Sequence, residues 1–181
     1  MWYAPSVIAA AGSESLTVDE VKARLRVDGD DSDWDLASMI VETRDHVEKY
    51  CNILLSQRDL ELKCDSFADL ARLPLAPAIE TLTITYLDLA GEEVLLPADA
   101  YEDAFGEFEG AILLRPGQSW PATLPSSRIT VRLRAGYEKL PGAIRRAMLL
   151  HIGDANERRE NGSEASWTAF DCLLANYRRG I

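Results

Sequence analysis

The stretch DSDWDLASMIVE, residues 31–42, sets Asp31, Asp33, Asp35 and Glu42 at the first, third, fifth and twelfth places of a calcium-binding loop. Carboxylates at that spacing could wrap a hard cation. The sixth place of such a loop must make a sharp left-handed turn, and here it is Leu36, whose Cβ opposes that conformation. From Leu36 onward Ile40, Thr43, Val47, Tyr50 and Leu54 recur at helical spacing, so the second half of the supposed loop has to be helix. The stretch reads as an acidic helix start, with Ser32 or Asp31 as N-cap and Asp33 and Asp35 facing the positive end of the helix dipole.

The other reactive side chains form no recognisable constellation. His46 and His151 each lie inside a helical pattern, without the spaced Cys, His or carboxylate set of a metal site, and read as structural or solvent-facing. Cys51, Cys64 and Cys172 are odd in number, far apart and set among apolar residues, which suits reduced thiols better than a disulfide frame or a zinc site. Asp99, Glu102, Asp103, Glu107 and Glu109 could in principle include a hydrolytic carboxylate pair. They crowd one polar loop with no sign that any is buried, and read as a solvated acidic edge. GEFEG has the wrong spacing for a phosphate loop, and GQSWP lacks the glycine that closes a nucleophile elbow. The expectation is a protein without catalytic, cofactor-binding or metal-binding residues.

The charge is unevenly placed. The net charge is −11, yet residues 1–109 carry 24 acids and 8 bases (net −16), whereas residues 110–181 carry 6 acids and 11 bases (net +5). Such acidity argues against ordinary DNA binding, which needs many cations on phosphates. A lopsided protomer could dock head to tail, acidic part against basic part, and contacts of that kind close into rings when the rotation permits.

A chain of 181 residues, 47% of them hydrophobic, can bury one substantial core. The opening WYAPSVIAAAG has no basic residue before its apolar run, and no run approaches the roughly 18 apolar residues of a membrane span. The expectation is a soluble, cytoplasmic chain: an extended arm over 1–15 and a single domain over 16–181.

Within that domain, Thr17 and Glu20 form a capping box ahead of Val18, Val21 and Leu25, a short first helix ending before DGDDS. The second helix runs from about Asp33 to Cys51 with Asn52 as left-handed C-cap, so residues 16–56 read as a helical hairpin. Residues 57–136 then switch to period two. RDLELKC, TLTITYLD and RITVRLRAG alternate, DLAG turns into EEVLL, and Tyr101 and AILLR mark two more strands. Residues 141–181 return to helix: Pro141 opens one with Ile144, Ala147, Met148, His151, Ile152 and Ala155 on one face. SWTAFDCLLANYRRGI reads as a terminal amphipathic helix with Trp167, Phe170, Leu173, Leu174 and Tyr177 on its apolar side. The predicted class is α+β: a mainly helical domain with a small antiparallel sheet or sandwich inserted between its N-terminal hairpin and its C-terminal helices.

The order of these pieces (LRVD, acidic spacer, long helix, LPLAP, ITYLDLAG, GQSWP, VRLRAGY, then LPGAIRRAMLLHI) resembles the head-tail connector, or adaptor, family of long-tailed bacteriophages over residues 16 to about 178. Each piece is short and apolar; their succession carries the resemblance. Two features depart from it. CNILL stands where a glycine-containing turn is usual, and Gly153 and Asp154 stand where aromatic residues usually follow the penultimate helix's apolar face. Prophages and gene transfer agents use similar connectors.

The resemblance implies a structural protein with no enzymatic activity and no cofactor. It implies a homo-oligomeric ring, twelve-fold in the particle, between the portal protein and the next neck or tail-completion protein, with DNA passing through the lumen without sequence-specific binding and no membrane involved. Assembly in the bacterial host cytoplasm would precede residence in the neck of a virion or phage-like particle. By the same analogy Trp167, Phe170, Leu174 and Tyr177 would be apolar anchors on the portal, with Arg178 and Arg179 as charged partners. An alternative is a phage-derived adaptor or binding module in a non-viral assembly; a hydrolase using the carboxylates of 99–109 is a third.

Overall fold

A computed structural model describes residues 1–9, 14–157 and 168–180. The chain divides into two compact units, a strand unit (Met1–Gly12 with Gln57–Tyr137) and a helical unit (Ser13–Ser56 with Glu138–Ile181). The fold is α+β, and the helices are drawn from both ends of the chain while the strands come largely from its middle.

The helical unit starts at α1 (Val18–Leu25), where the Thr17 hydroxyl accepts from the Glu20 N–H and the Glu20 carboxylate accepts from the Thr17 N–H. Two backbone donors at the helix start are thereby satisfied reciprocally. The helix stops at Arg26, which takes the left-handed conformation (φ 58°) and donates its N–H to the Lys22 carbonyl. The next helix, α2 (Asp33–Cys51), buries Leu36, Ile40, Thr43, Val47 and Cys51, and Asn52 closes it in the left-handed conformation. The stretch with calcium-loop spacing is thus mostly helix, with Leu36 buried in its first turns. Ser32 occupies the N-cap without a capping side-chain bond; Lys22 instead spans from α1 to Asp30 (3.0 Å) and Asp33 (2.7 Å).

Helix α3 (Gly142–Glu157) inserts Ile144, Ala147, Met148 and Ile152 into the same core. At Gly153 it packs so closely on α1 that an added Cβ would sit 3.4 Å from Leu25 Cδ2. The position where the resemblance leads one to expect an aromatic residue is therefore a close helix contact. Arg145 also pairs with Glu20. The expected long terminal helix is, in the described residues, the short α4 (Ala169–Leu174) followed by a 3-10 turn over Ala175–Tyr177.

In the strand unit, β1 (Ser6–Ala9), β2 (Arg58–Cys64), β7 (Ile129–Ala135), β3 (Ala78–Leu87) and β4 (Glu93–Leu95) form an antiparallel sheet in that spatial order; β5 (Tyr101–Phe105) and β6 (Gly110–Leu114) form a separate hairpin. The alternation in β2 and β7 gives the register: Leu62 lies opposite Val131 and Val131 opposite Ile84, a buried row across three strands. Each such side chain contributes about 1.5–3 kcal/mol by leaving water. The other face carries an ion-pair row in which Arg134 binds Asp59 (2.8 Å) and Glu80 (2.7 Å), and Arg132 binds Glu61 (3.0 Å).

Alternation fails in β3. Its pairing with β7 advances two residues against one at Ala78–Glu80 and again at Thr81–Thr83, so Ile79 and Leu82 are bulge residues and stand exposed. Asp103 on β5 accepts from the Thr81 N–H (3.0 Å) and hydroxyl (2.7 Å) beside the second bulge. β3 then turns into β4 at Gly91 (φ 84°), where the Asp88 carboxylate accepts from the N–H groups of Ala90 and Glu92. The stretch read as an arm supplies β1, and Trp2 donates its indole N–H to the Arg72 carbonyl at 2.8 Å.

Candidate functional site

The C-terminal segment predicted to dock is held by an aromatic cluster built from three helices. On α2, His46 and Tyr50 are one turn apart, which puts both rings on one face. His151 on α3 stacks on His46, centroids 5.2 Å apart and planes 4° from parallel. The Phe170 ring of α4 lies 5.5 Å from His46, 5.1 Å from His151 and 5.9 Å from Tyr50. The two histidines, read separately in the sequence, therefore act together as a stacked platform for Phe170.

A capping box fixes α4 from its first residue. Asp171 Oδ2 accepts from the Thr168 N–H (2.8 Å) and hydroxyl (2.6 Å), and the Thr168 hydroxyl accepts from the Asp171 N–H. The spacing T-x-x-D at 168–171 is visible in the sequence and marks this helix start. Hydrogen bonds from the Thr168 hydroxyl and N–H, with one from Tyr50, hold the Asp171 carboxyl below the usual aspartate range.

Among the residues expected to dock, Trp167 lies outside the described residues. Phe170 is half-buried in the cluster, and Leu174 is fully buried, a core residue of the helical unit. Tyr177 is half-buried in the 3-10 turn. Arg178 is exposed, with its guanidinium 4.9 Å over the Tyr50 ring, and Arg179 donates its backbone N–H to the Cys51 carbonyl at 2.8 Å. Described residues 168–180 are thus folded back on α2 and α3, with Arg178 their most outward candidate.

The carboxylates of 99–109 do not converge. All five are exposed along the β5–β6 hairpin and the loop before it; Asp103 is engaged by Thr81, and Glu107 accepts from the Tyr137 hydroxyl at 3.3 Å. Among the described residues no group of three His, Cys, Asp or Glu side chains converges as a metal site. Among the described residues no helix is long and apolar enough to cross a membrane.

Two surface features were not singled out in the sequence. Trp34, in the first turn of α2, is 80% exposed. On the strand unit, an open cleft of about 430 Å³ lies among Lys63, Thr85, Tyr86, Leu87, Arg128 and Thr130.

Residues 15–90 match the family of phage gp6-like head-tail connector proteins. No curated protein matches the chain in sequence. Among solved structures, a chain in the neck of an empty gene transfer agent particle, computed with C6 symmetry, superposes with a TM-score of 0.82 at 19% identity, covering 99% of this chain and 97% of that one. A chain in the neck of the native particle, computed with C12 symmetry, gives 0.80 at 20% identity, and one in the native virion gives 0.77 at 20%, both with the same coverage. At these identities the likeness is one of fold, and it runs through both units. The sequence match covers the helical hairpin and the first strands, and the likeness in fold extends over the rest of the chain.

Proposed function

We propose that this chain is a structural connector: a ring-forming adaptor in the neck of a phage or phage-like particle, between the portal and the next neck or tail-completion protein. Residues 16–181 then work as the connector domain, and no bond is made or broken on the protein's account. The observation that carries this reading is the correspondence with a gene transfer agent neck chain over 99% of the sequence. The C12 symmetry of the related native neck supports a twelve-fold ring. The reading gives the excess of acid a use: carboxylates facing a lumen would repel passing DNA and leave it free to move. Portal docking falls to the segment 167–179, with Arg178 and Tyr177 presented outward and Phe170 and Leu174 fixing their position from within.

The test is electron microscopy of particles from a host carrying a deletion of the gene. Filled or leaking heads without tails are expected, restored by the gene in trans. Tailed, sealed particles lacking the protein would overturn the proposal.

A further inference from the structure

Resting on that reading of a ring, we propose that copies join head to tail by seating the Trp34 indole of one copy, with Asp31 and Asp35 beside it, in the Lys63–Arg128 cleft of the next. The occupant is a second copy of this chain, and the surfaces differ, so the contact is heterologous and able to propagate around a ring.

Trp34 is the most exposed large hydrophobic side chain among the described residues. Tryptophan is the residue type most enriched where interface energy concentrates. Its acidic neighbours divide into two sets. Asp30 and Asp33 are taken up by Lys22. Asp31 and Asp35 are exposed, and no cation among the described residues pairs with either. The protruding element is thus one apolar ring with two uncompensated carboxylates.

The cleft is its counterpart. Lys63, Thr130 and Thr85 lie in one row across β2, β7 and β3, on the face opposite the buried row. Arg128 stands before β7 with its guanidinium 4.0 Å over the Tyr3 ring, and no carboxylate among the described residues pairs with it. Lys63 touches Glu61 at 3.3 Å and keeps nearly half its surface open. Leu87, on the same face as Thr85, gives an apolar wall, the Thr85, Thr130 and Ser126 hydroxyls add donors, and Glu93 is the one acid lining the cleft. The cleft offers Lys63 and Arg128 to Asp31 and Asp35 and Leu87 to the indole, with Glu93 the one opposing charge. An incoming phosphate would satisfy the cations and leave the apolar wall unused.

The test uses the full chain at up to millimolar concentration. A photo-reactive phenylalanine replacing Trp34 should cross-link to a second copy, with the adduct mapped to β3 or to the segment 126–130. Adducts elsewhere, within one chain only, or to portal protein when portal is added, would overturn the proposal while leaving the connector reading intact. In sedimentation velocity, Lys63→Glu with Arg128→Glu should weaken self-association about tenfold or more, and adding Asp31→Lys with Asp35→Lys on the same chain should restore most of it. Reversal without rescue would overturn the proposal too. Absence of any self-association, in solution and in particle necks alike, would overturn both the contact and the ring.

Discussion

Tyr50 donates its phenolic hydrogen to Asp171 at 2.8 Å, joining α2 to a helix 121 residues further along the chain. The same carboxylate caps α4 through Thr168, so one side chain both starts the terminal helix and ties it down. The Tyr50 ring meanwhile packs near Phe170 and carries Arg178 over its face. Tyr50→Phe keeps the ring contacts and removes only the hydroxyl. Urea unfolding should show a loss of about 0.5–1 kcal/mol, the range of a partly exposed hydrogen bond to a charged acceptor. Tyr50→Ala should lose more and release residues 168–180 to limited proteolysis while α1 to α3 stay protected.

The Asp171 carboxyl is held low first by the Thr168 hydroxyl, then by the Thr168 N–H and Tyr50. Its folded pKa lies below the unfolded aspartate value of about 3.9, so its contribution is fully present above that value and is lost as pH falls through the lowered one. Asp171→Asn should therefore be less stable than wild type at pH 7, and the gap should narrow as the pH drops from about 4 toward 2. Urea midpoints measured across that range decide it; a gap that widens toward acid would refute the assignment.

What the sequence discloses depends on whether a local rule is also the final one. Thr17 and Glu20 make the expected box, Asn52 closes α2 as expected, and β2 and β7 bury the expected residues, because each is fixed by neighbours within a turn or across a regular ladder. Leu82 misleads, since a bulge shifts the alternation by one and the letters carry no mark of it. The terminal segment misleads for a different reason. Its apolar spacing suits one long helix, but the Thr168–Asp171 box starts a helix only at Ala169, and Leu174 belongs to the core. The stacking of His46 on His151 was not legible, because it joins two helices whose meeting no local pattern specifies.

The bulge yields its own prediction. Asp103 supplies acceptors to the Thr81 N–H and hydroxyl beside the point where β3 slips relative to β7. Asp103→Ala should destabilise the protein by about 0.5–1.5 kcal/mol, since both donors remain reachable by water. Thr81→Val, which removes the hydroxyl donor alone, should show a smaller loss, and the double variant should fall short of the sum. Additive losses in that cycle would mean the two residues do not act together.

Leu133 sits in the central strand with no exposed surface, opposite Leu60. Truncation there leaves a cavity that a strand paired on both sides cannot close. Leu133→Ala should lower stability by about 2–5 kcal/mol. Leu95→Ala, on the outer strand β4 and largely exposed, should change it by less than about 0.5 kcal/mol. Comparable losses at the two positions would contradict the placement of the core.

The three cysteines should separate by accessibility. Burial pushes the Cys51 thiol up to about 11 and the Cys64 thiol up to about 12, whereas Cys172 is exposed on α4. The thiolate is the reactive form, so at pH 8 both buried thiols combine a low thiolate fraction with closed access. A thiol reagent such as Ellman's should titrate one group in the native protein and all three in urea, with Cys172 identified as the native site by peptide mapping. The two buried groups also sit in different units, Cys51 in the helical one and Cys64 in the sheet. Their rates in rising urea therefore report the opening of each unit separately: equal rates at every concentration would mean that the two units unfold as one.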